Sequence, residues 1–497
     1  MLLSELFADV AAPAQAELVG GDADVGGLAF DSRRVKAGDL YFCVRGETAD
    51  GHEFAETAIS AGAVALVVDH RLEVAAPQAV VPDVRAVMAP AAVRFYGDPT
   101  SELQVVGITG TNGKTTSAFL TRTILEATGV ATGLLGTVAR VIGGAEQETL
   151  RTTGEAIDLQ ADFAAMLAAG DRACVMEVSS HALALGRAEG TRFAIAAFTN
   201  LTPEHLDFHP DMEDYYSAKK TLFFGAARGG DDPGDCVVNV DDHYGTRLAG
   251  ELAGAGRPAL TYSAAGAEAR LRAESVVFDA GGARFKLELD GESLDASVPI
   301  PGIFNVANAL CAVGCAVSAG VEPERAVGAL AGAGRVPGRF EPIDEGQPFT
   351  VLVDYAHTPD SLDNVLAAAR ELTTGRLITV FGAGGDRDRT KRPEMGRIGS
   401  ERADLAIITS DNPRSEDPES IVAEVAAGVA VGSGAVEIEV DRASAIRAAV
   451  ERAAPGDVIV IAGKGHEQGQ EFEGGRKIAF DDRDQARAAL ADRMSRT

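Results

Sequence analysis

Basic residues are scarce in this sequence. The chain has 45 lysines and arginines against 74 aspartates and glutamates, which gives a formal net charge of −29. Such an excess of negative charge repels polyanions, so we expect neither nucleic acid nor an anionic membrane surface as a partner. A small anionic substrate would need a local group of arginines or lysines. Any such group is therefore informative about function.

The sequence has no CxxC pair, and its five cysteines are an odd number. Most of them lie in apolar runs, where a buried, reduced thiol is the usual state of a cysteine. We therefore expect a reducing compartment rather than a disulfide framework. The five are Cys43, Cys174, Cys236, Cys311 and Cys315.

A secretory leader and a membrane-spanning run are not evident either. The first ten residues, MLLSELFADV, contain no basic residue and an acid already at Glu5, which is not typical of a signal peptide. The stretch 296–321 is uncharged, but Pro299, Pro301 and Gly302 interrupt it, which favours a buried strand, turn and helix. We expect a cytoplasmic protein that does not enter a membrane.

The chain is too long for a single hydrophobic core, since 497 residues correspond to about three domains of ordinary size. Short apolar runs alternate with helical patterns, which is typical of α/β domains with parallel sheets. Turn-rich GDPTS (97–101) and GAGRVPGR (332–339) divide the pattern. We predict a smaller N-terminal α/β domain, a central α/β domain like that of phosphate-loop ATPases and a C-terminal Rossmann-like α/β domain, at residues 1–98, 99–336 and 337–497.

The apolar runs that predict buried strands fall into two series after an N-terminal group of LAF, LYFCV and AVALVV. The first series consists of LQVVGI (103–108), ACVMEV (173–178), FAIAAF (193–198) and CVVNV (236–240). The second consists of TVLVD (350–354), RLITVFG (376–382), DLAIIT (404–409) and DVIVIAG (457–463).

Residues 107–116 read GITGTNGKTT and join a predicted strand to a helix predicted over 115–127. The usual phosphate loop, G-x-x-x-x-G-K-[ST], would require glycine where Ile108 stands. A strand, a glycine turn and a helix N-terminus still bring backbone N–H groups to one point that suits phosphate. Lys114 would then reach the terminal phosphates of ATP, and the Thr115 hydroxyl would bind Mg²⁺.

The compressed form G-T-N-G-K-T-T resembles the nucleotide loop of the Mur ligases and the related folylpolyglutamate synthetases, which use ATP to join an amino acid to a carboxylate. MEVSSHAL, TNLTPEHLDFH and YYSAKKTLFF (starting at 176, 199 and 215) resemble further segments of these ligases. The resemblance implies catalytic roles for Lys114, Glu177, His205 and Lys219. It implies Mg²⁺ ligands at Thr115, Glu177, His205 and Lys219, with Lys219 carrying a carbamate.

The residues themselves also allow simpler interpretations. Glu177 could be a solvated loop acid, His205 a structural histidine and Lys219 a solvated charge on a helix. The motif GIFNVANAL resembles the family's N-x-x-N helix start, although helix capping alone would explain Asn305. The nucleotide-binding residues implied by the resemblance are Gly110, Thr111, Asn112, Gly113, Lys114, Thr115, Thr116, Asn305, Asn308, Arg339 and Asp354.

Other segments resemble the part of the family that binds a uridine-linked muramoyl peptide. FDSRRVKAGDLYFCVRGETADG (30–51) resembles the uridine-diphosphate pocket, and the likeness implies contacts from Ser32 and the backbone of 47–49. Arg151 stands where asparagine is common, and Leu185 replaces a glutamine of some relatives. The resemblance implies that the muramoyl peptide is held by Thr152, Thr153, Ser179 and Arg187.

The stretch SDNPRSEDP (410–418) bears on the amino-acid substrate. Its D-N-P-R resembles the signature of Mur ligases that add meso-diaminopimelate, in which the planar guanidinium of Arg414 would face the distal carboxylate. A surface turn whose arginine pairs with Glu416 or Asp417 is the simpler interpretation. The amino-acid-binding residues implied are Arg387, Asp411, Asn412, Pro413, Arg414, Gly463 and Glu467.

Taken together, the resemblance implies a ligase of peptidoglycan synthesis that uses ATP and Mg²⁺. It would join meso-diaminopimelate to UDP-N-acetylmuramoyl-L-alanyl-D-glutamate through an acyl phosphate, and we expect a monomer. A folylpolyglutamate-type ligase is one alternative, although it has no use for Arg414 or a uridine pocket. A phosphate-loop ATPase that drives movement is another, and its ADP release would not require an amino acid.

Overall fold

The structure is a computed structural model that describes residues 1–8, 16–46, 49–149, 151–225, 231–279 and 281–496. The predicted contact at residues 47–49 therefore lies largely outside the described residues. The helices are α1 Leu3–Ala8, α2 Ala55–Ala61, α3 Val84–Tyr96, α4 Lys114–Ala127, α5 Ala156–Ala169, α6 Ser180–Ala184, α7 Met212–Lys220, α8 His243–Gly254, α9 Ile303–Ser318, α10 Pro323–Ala331, α11 Pro359–Glu371, α12 Lys391–Arg402, α13 Pro418–Ala426, α14 Arg442–Arg452 and α15 Asp482–Met494.

The strands up to the middle of the chain are β1 Glu17–Val19, β2 Gly27–Ala29, β3 Asp39–Phe42, β4 Ala65–Val68, β5 Gln78–Val80, β6 Gln104–Thr109, β7 Thr132–Leu135, β8 Arg140–Ile142, β9 Ala145–Gln147, β10 Ala173–Glu177, β11 Phe193–Phe198 and β12 Asp235–Asn239. The remaining strands are β13 Leu260–Ser263, β14 Leu271–Asp279, β15 Gly282–Leu289, β16 Glu292–Val298, β17 Glu341–Pro342, β18 Thr350–Asp354, β19 Leu377–Phe381, β20 Leu405–Ile408, β21 Ala435–Ile438, β22 Val458–Ala462, β23 Gly469–Phe472 and β24 Arg476–Ala479.

The chain forms two compact units. The first unit contains Met1–Thr109, Val130–Ala196 and Ala218–Gly234, and the second contains Gly110–Gly129, Ala197–Ser217 and Asp235–Thr497. Helices and mainly parallel sheets make up both, which confirms the predicted α/β class. The three domain boundaries remain a prediction.

The first unit has two groups of strands. A five-stranded sheet of order β1-β5-β4-β3-β2 is parallel except for β1, and apolar clusters cover both of its faces. This burial explains why β3 and β4 are almost uninterrupted apolar runs. In the second group β10 lies between β6 and β7, parallel to both, and Glu177 pairs with Ile108 at its end.

The second unit contains the C-terminal sheet, of order β17-β18-β22-β19-β20-β21, in which only the short β17 is antiparallel. Asp354 ends β18, while Gly463 and Ser410 lie just past the ends of β22 and β20. The carboxyl ends of parallel strands meet at one edge of a sheet, which is where ligands bind in such folds. The predicted amino-acid residues follow these strand ends.

The uncharged stretch that could suggest a membrane span is, as predicted, the end of β16, a turn and the helix α9. Eleven residues of α9 between Asn305 and Ala316 are buried. No helix in the described part of the chain combines the length and the hydropathy needed to cross a bilayer. All five cysteines are buried, as predicted, and none of them forms a disulfide within the described residues.

Candidate functional site

The two glycines of the nucleotide loop permit contacts that a side chain would block. Gly110 has φ 147° and Gly113 has φ 87°, in the region that favours glycine. A Cβ at Gly110 would collide with Oγ1 of Thr199, and one at Gly113 would collide with Oδ1 of Asn308. The spacing of these glycines therefore matches the packing of the loop, although it differs from the usual motif.

The segment after β11 fixes the shape of the loop. The amides of Thr111 and Asn112 donate to the carbonyl and side-chain oxygens of Asn200, at 2.9 and 2.8 Å. The Thr199 hydroxyl donates to the carbonyl of Asn112 at 2.6 Å, and the Thr111 hydroxyl donates to the carbonyl of Thr202 at 3.1 Å. The loop is thus held in one conformation by neighbours within the second unit.

Lys114 extends over the loop. Its Nζ donates to the carbonyls of Gly110 and Thr111, at 2.9 and 2.7 Å. Helix α4 starts at Lys114, and its N-cap, Gly113, makes no side-chain cap hydrogen bond. An ammonium and a helix N-terminus at the same point favour an anion such as phosphate.

Arg339 and Asp354 belong to the same part of the second unit. Arg339 donates from Nη2 to the Thr115 hydroxyl at 3.1 Å, and its guanidinium lies 4.4 Å from the ring centroid of Tyr355. Asp354 accepts hydrogen bonds from the amides of Phe340 and Ala356. Burial raises the pKa of Asp354, while the charge of Arg339 opposes the rise. Asp354 therefore orders the turn that carries Arg339.

Asn305 and Asn308 form a buried pair at the start of α9. The N-cap of this helix is Gly302, so helix capping, the simpler interpretation of Asn305, is wrong. Asn305 donates from Nδ2 to the Pro301 carbonyl at 2.8 Å, and Asn308 donates to Oδ1 of Asn305 at 3.2 Å. Because Asn308 also limits the space at Gly113, both asparagines bear on the nucleotide loop.

His205 lies beside Glu204, an acid with a largely buried side chain that the sequence analysis did not select. Its backbone has φ 57°, and its Nε2 lies 3.6 Å from Oε2 of Glu204. Oε1 of Glu204 lies 3.2 Å from Nε2 of His357, whose Nδ1 lies 2.8 Å from the Tyr355 carbonyl. Both ring nitrogens of His357 thus lie close to oxygen atoms, one of the Glu204 carboxylate and one of the Tyr355 carbonyl.

The carboxylate of Glu204 is strongly favoured in its ionised form. Burial alone would raise the pKa of Glu204, but the hydrogen bond with His357 and the charges of His205, His357 and Lys114 together bring it well below its ordinary value. No local pattern in the sequence marks this acid, because His357 is supplied by a distant segment. Its position next to His205 is the only signal that could have suggested it.

Glu177 lies in the first unit among hydroxyl groups. It is 1% exposed, so the interpretation as a solvated loop acid is wrong. Its Oε1 accepts from the Thr137 amide at 2.7 Å, and the Thr137 hydroxyl lies 2.9 Å from that of Thr152. Thr153 donates to the Glu177 carbonyl at 2.9 Å and accepts from the Ser179 amide at 3.1 Å. The structure thus brings together four of the predicted residues: Glu177, Thr152, Thr153 and Ser179.

Lys219 is also buried in the first unit, near the end of α7. Its exposed fraction is 1%, so the interpretation as a solvated charge on a helix face is wrong. Lys220 is half-buried, and its Nζ lies 5.1 Å from the ring centroid of Phe224. A buried ammonium is costly unless it is paired, whereas a carbamate would turn the side chain into an anion of carboxylate type.

Arg187 lies in an ion-pair cluster around a second buried acid of the first unit. Glu155 is contacted by Arg85 at 3.0 Å, Arg151 at 3.1 Å and Arg187 at 2.9 Å. Burial lowers the pKa of the Arg187 guanidinium. Counted against Glu155 alone, two of the three positive charges are in excess, and an excess of positive charge attracts anions. Arg151, whose role the sequence analysis left open, is one of these three arginines.

Ser32 starts a short 3-10 helix, Ser32–Arg34, whose N-cap Asp31 accepts from the Arg33 amide. The neighbours of Ser32 line a cavity of about 620 Å³ in the first unit that includes Arg34 and Lys36. The cavity is large enough for a drug-sized ligand, which typically needs at least 300 Å³. Of the predicted uridine contacts, Ser32 is the one made by a side chain, and it lies within the described residues.

The D-N-P-R residues form a largely buried loop after β20. Asn412 lies at its centre: Nδ2 donates to Oε2 of Glu467 at 2.8 Å, and Oδ1 accepts from Nζ of Lys464 at 2.8 Å. Asp411 is 5% exposed, and a Cβ at Gly463 would lie 2.8 Å from its Oδ2. A glycine at 463 is therefore required by the approach of Asp411, consistent with the predicted pocket.

Arg414 has φ 52° and is fixed at both its backbone and its side chain. Its amide donates to the Glu471 carbonyl at 3.0 Å, Nε donates to Oε2 of Glu471 at 3.1 Å, and Nη1 donates to the Gly385 carbonyl at 2.7 Å. The predicted pairing with Glu416 or Asp417 is wrong, because Glu416 pairs with the buried Arg392 instead. Pro413 is buried, and its carbonyl limits the space at Gly385.

Arg387 differs from the rest of this group. It is exposed, and it makes no hydrogen bond or ion pair with the described residues. A Cβ at Gly384 would lie 4.0 Å from Cγ of Arg387 and 3.1 Å from Nη1 of Arg414. The structure thus brings together Asp411, Asn412, Pro413, Arg414, Gly463 and Glu467, with Arg387 beside them.

Comparison with known proteins decides the family. Three protein-family models match this chain. They are described as "Mur ligase family, catalytic domain", "Mur ligase middle domain" and "Mur ligase, glutamate ligase domain", and they match residues 24–98, 108–316 and 338–465, respectively. A protein of Solibacter usitatus named "UDP-N-acetylmuramoyl-L-alanyl-D-glutamate--2,6-diaminopimelate ligase" is 45% identical over 99% of this chain and 98% of its own. The chain belongs to the Mur ligase family.

One further relative and one solved structure carry the same name. A Mur ligase of Gloeobacter violaceus with this name is 47% identical over 96% of each chain. A solved structure titled "Structure of UDP-N-acetylmuramoyl-L-alanyl-D-glutamate--2, 6-diaminopimelate ligase" has 33% sequence identity and a TM-score of 0.66, and the match covers 95% of both chains. The similarity therefore extends over nearly the whole length of the Mur ligase described here.

The predicted Mg²⁺ ligands of this Mur ligase divide between the units, with Glu177 and Lys219 in the first and Thr115 and His205 in the second. The carboxylate of Glu177, the hydroxyl of Thr115 and a carbamate on Lys219 would offer the oxygen ligands that Mg²⁺ prefers. By ligand type alone these three groups suit Mg²⁺, whereas His205 would add a nitrogen ligand.

A separate cluster of metal-ligating type consists of His52, Asp69 and His70 in the first unit. Its groups already have partners: the Asp69 amide donates to Nε2 of His52, and Oδ2 of Asp69 lies 2.8 Å from Nε of Arg45. We assign no metal to this cluster.

Proposed function

We propose that this Mur ligase is an ATP-dependent amide ligase of peptidoglycan synthesis. It joins meso-diaminopimelate to the γ-carboxylate of the D-glutamyl residue in UDP-N-acetylmuramoyl-L-alanyl-D-glutamate. The observation that carries the proposal is the D-N-P-R loop, where the guanidinium of Arg414 is fixed by Glu471 and the Gly385 carbonyl, and the Asn412 amide donates to Glu467. The proposal is also supported by relatives that are named as such a ligase and that are similar to this chain over almost its full length.

The reaction proceeds in two steps. The γ-carboxylate attacks the γ-phosphorus of ATP, the bond to the bridging oxygen of ADP breaks, and an acyl phosphate forms. The amine of meso-diaminopimelate, after losing a proton, attacks the acyl carbon. The tetrahedral intermediate then expels phosphate and leaves the amide. No nucleophilic side chain is needed, so the residues act by position and charge.

The nucleotide is held by the loop and its neighbours. Backbone groups of Gly110–Thr116 surround the phosphates, and the ammonium of Lys114 neutralises charge that develops on them. Asn305, Asn308, Arg339 and Asp354 complete this part of the proposal. The contacts of Arg339 and Asn308 with the loop support it.

Glu177, Thr115, His205 and a carbamate on Lys219 would hold Mg²⁺, which when bound shields the phosphate charge. The carbamate forms when the neutral amine of Lys219 attacks CO₂ and a proton is lost. Burial of Lys219 supports this assignment, since the product would be a buried anion beside a cation.

Lys219→Ala tests the carbamate. We expect turnover to fall by at least about 100-fold and added bicarbonate not to restore it, because no amine remains to react. Lys220→Ala, which removes the half-buried neighbour, is the matched control and is expected to retain most activity. Near-normal turnover of Lys219→Ala would reject the carbamate role.

The two remaining substrates are bound by separate groups of residues. Ser32, Thr152, Thr153, Ser179 and Arg187 bind the uridine-linked peptide, and the cluster around Glu155 supports the binding of its anionic groups. The residues that bind the amino acid are Arg387, Asp411, Asn412, Pro413, Arg414, Gly463 and Glu467. A cytoplasmic location and a monomeric state remain predictions.

The proposal is tested by ADP release with the uridine-linked dipeptide and either meso-diaminopimelate or L-lysine. We expect release with meso-diaminopimelate and at least about 100-fold lower kcat/KM with L-lysine. Equal activity with lysine would refute the specificity, and release without any amino acid would favour a motor or transport ATPase. Activity with a folate substrate in place of the dipeptide would favour the folylpolyglutamate alternative.

A further inference from the structure

Lys464 is a fully buried lysine that none of the predictions included. Its side chain is 0% exposed and follows β22, in the sequence GKGHE. A buried ammonium is tolerated in a protein only when nearby groups match its charge and its hydrogen bonds. The identity of those groups therefore indicates what Lys464 does.

All the polar partners of Lys464 belong to the proposed amino-acid pocket. Its Nζ donates to Oδ1 of Asn412 at 2.8 Å and to Oε2 of Glu467 at 2.9 Å, and it lies 3.6 Å from Oδ1 of Asp411. Lys464 thus links the D-N-P-R loop to the segment that carries Glu467.

Lys464 also determines which way the Asn412 amide points. Oδ1 of Asn412 accepts from Lys464 and from the Glu471 amide, while Nδ2 donates to Glu467. A reversed amide would place its NH₂ group against an ammonium and a backbone N–H. The orientation of Asn412, and with it the position of Glu467, therefore depends on Lys464.

Counted among Asp411, Glu467 and Lys464 alone, the charges leave one carboxylate unmatched, while Arg442, which pairs with Asp482, and Lys391 act on Asp411 from outside this group. Asp411 and Glu467 contribute two carboxylates and Lys464 one ammonium. Oδ1 of Asp411 is buried and accepts no hydrogen bond in the described part of the chain, because the 3.6 Å from Lys464 is too long for one. A buried carboxylate oxygen without a donor is costly, so this oxygen is well placed to accept one from a cationic ligand.

We propose that Lys464 is a positioning residue for the amino-acid substrate. It holds Asp411, Asn412 and Glu467 in the arrangement that receives an ammonium group of meso-diaminopimelate. The inference rests on the function proposed above. It also explains the full burial of a lysine at a position where an apolar residue would avoid the cost of desolvation.

The test is steady-state kinetics of Lys464→Met, which keeps the length of the side chain and removes the charge. We expect KM for meso-diaminopimelate to rise at least about tenfold, equivalent to 1.4 kcal/mol. KM for ATP and for the uridine-linked dipeptide should stay within about twofold. Lys286→Met is the matched control, because it removes an exposed lysine of β15 that pairs with Asp295. It should change none of these constants.

A pH profile separates positioning from a purely structural role. Burial would raise the pKa of Asp411, but the electrostatic effects of Lys464, Arg442, His357 and Lys391 outweigh it, so the pKa of Asp411 is below its ordinary value. Lys464 is the largest of these contributions. Its removal should raise the pKa of Asp411, so the rise in KM for meso-diaminopimelate on acidification should begin at higher pH in Lys464→Met than in the wild type.

The outcomes are distinct. If the wild type does not use meso-diaminopimelate, the proposed function fails and this inference fails with it. If the wild type is active and Lys464→Met shows an unchanged KM and pH profile, only the inference fails. If Lys464→Met does not fold, as judged by loss of ADP binding, Lys464→Gln replaces it, since glutamine keeps a donor without the charge. Failure of both variants to fold would establish a structural role and overturn the proposal.

Discussion

At the scale of single residues, the function depends on how a few charged side chains are held. Arg414 is restrained by Glu471 and by the carbonyl of Gly385, so its guanidinium has little freedom. A restrained guanidinium loses little entropy when a carboxylate binds, which favours a substrate that has one. L-lysine has no carboxylate at its distal end.

Arg414→Met should therefore reduce the preference for meso-diaminopimelate. We expect kcat/KM for meso-diaminopimelate to fall by about 100-fold, corresponding to ~3 kcal/mol for a lost charged partner, and kcat/KM for L-lysine to change much less. Parallel ADP-release assays with the two amino acids measure the ratio. A ratio equal to that of the wild type would show that Arg414 does not select the substrate.

The sequence predicted the D-N-P-R loop and Glu467 but not Lys464 or Glu204. Asp411 to Arg414 are contiguous and form a recognisable pattern. The importance of Lys464 arises from contact with Asn412, and that of Glu204 from contact with His357, both brought near only by the fold. A pattern along one chain contains no information about such contacts. The interpretation of Asn305 as a cap was wrong because the turn at Gly302 takes that position.

At the scale of elements, the structure uses strand ends, loops and helix starts to place these residues. Predicted strands agree closely with the observed ones, as with β18 at Thr350–Asp354 and β11 at Phe193–Phe198. They could be predicted because strands buried on both faces are short apolar runs. The helix after the nucleotide loop was predicted to start at Thr115 and starts at Lys114.

Gly113→Ala tests the nucleotide loop. The substitution combines a positive φ with a collision against Asn308, so we expect strain of about 1–3 kcal/mol in the loop and ADP affinity at least about tenfold lower. Gly129→Ala is the matched control: its φ is 96°, but a Cβ there would meet nothing within 4 Å. The control should lose some stability and keep its ADP affinity by calorimetry. Equal loss in both variants would contradict the role of the collision.

Helices α12 and α13 are joined by a buried arginine. Arg392 donates to both oxygens of Glu416, at 2.7 and 2.9 Å, and to Glu424 at 2.8 Å. The hydrogen bonds from Arg392 lower the pKa of Glu416 from 4.5 to about 2. A lowered carboxyl pKa contributes stability that is complete above pH 4.5 and is lost as the pH falls towards 2.

Glu416→Gln should therefore lower the unfolding temperature at neutral pH, and the difference from the wild type should shrink as the pH falls below 4.5. Thermal unfolding measured between about pH 7 and pH 3 gives the comparison. The exposed Glu102 provides the control Glu102→Gln, for which we expect a small and constant difference. A difference for Glu416→Gln that does not depend on pH would contradict the ion pair.

At the scale of the whole molecule, the chain has a net charge of −29, although ATP and the uridine-linked peptide of the proposed reaction are themselves anions. Local cationic groups, such as Lys114 with Arg339 and the three arginines around Glu155, overcome this background. The charge also repels itself within each compact unit. Self-repulsion of this kind is screened by salt.

We expect the unfolding temperature to rise when NaCl increases from about 10 to 150 mM, because the screening length falls from roughly 30 to 8 Å. A gain of about 1 kcal/mol would raise it by roughly 1 to 2 °C, depending on how much of the chain unfolds as one unit. Differential scanning calorimetry at constant pH measures the change, with sucrose at equal osmolality as the control for solvent effects. A fall in the unfolding temperature would show that ion pairs outweigh self-repulsion.

The pairing of the D-N-P-R loop with one following segment limits how substrate choice can change in evolution. Asn412 contacts Lys464, Glu467 and the Glu471 amide, and Arg414 contacts both the backbone and the side chain of Glu471. The D-N-P-R loop and residues 463–471 thus depend on each other for their positions, although they are separate segments of the sequence. A transplant of D-N-P-R alone into a lysine-adding relative would lack its support, whereas the two pieces moved together would transfer the specificity.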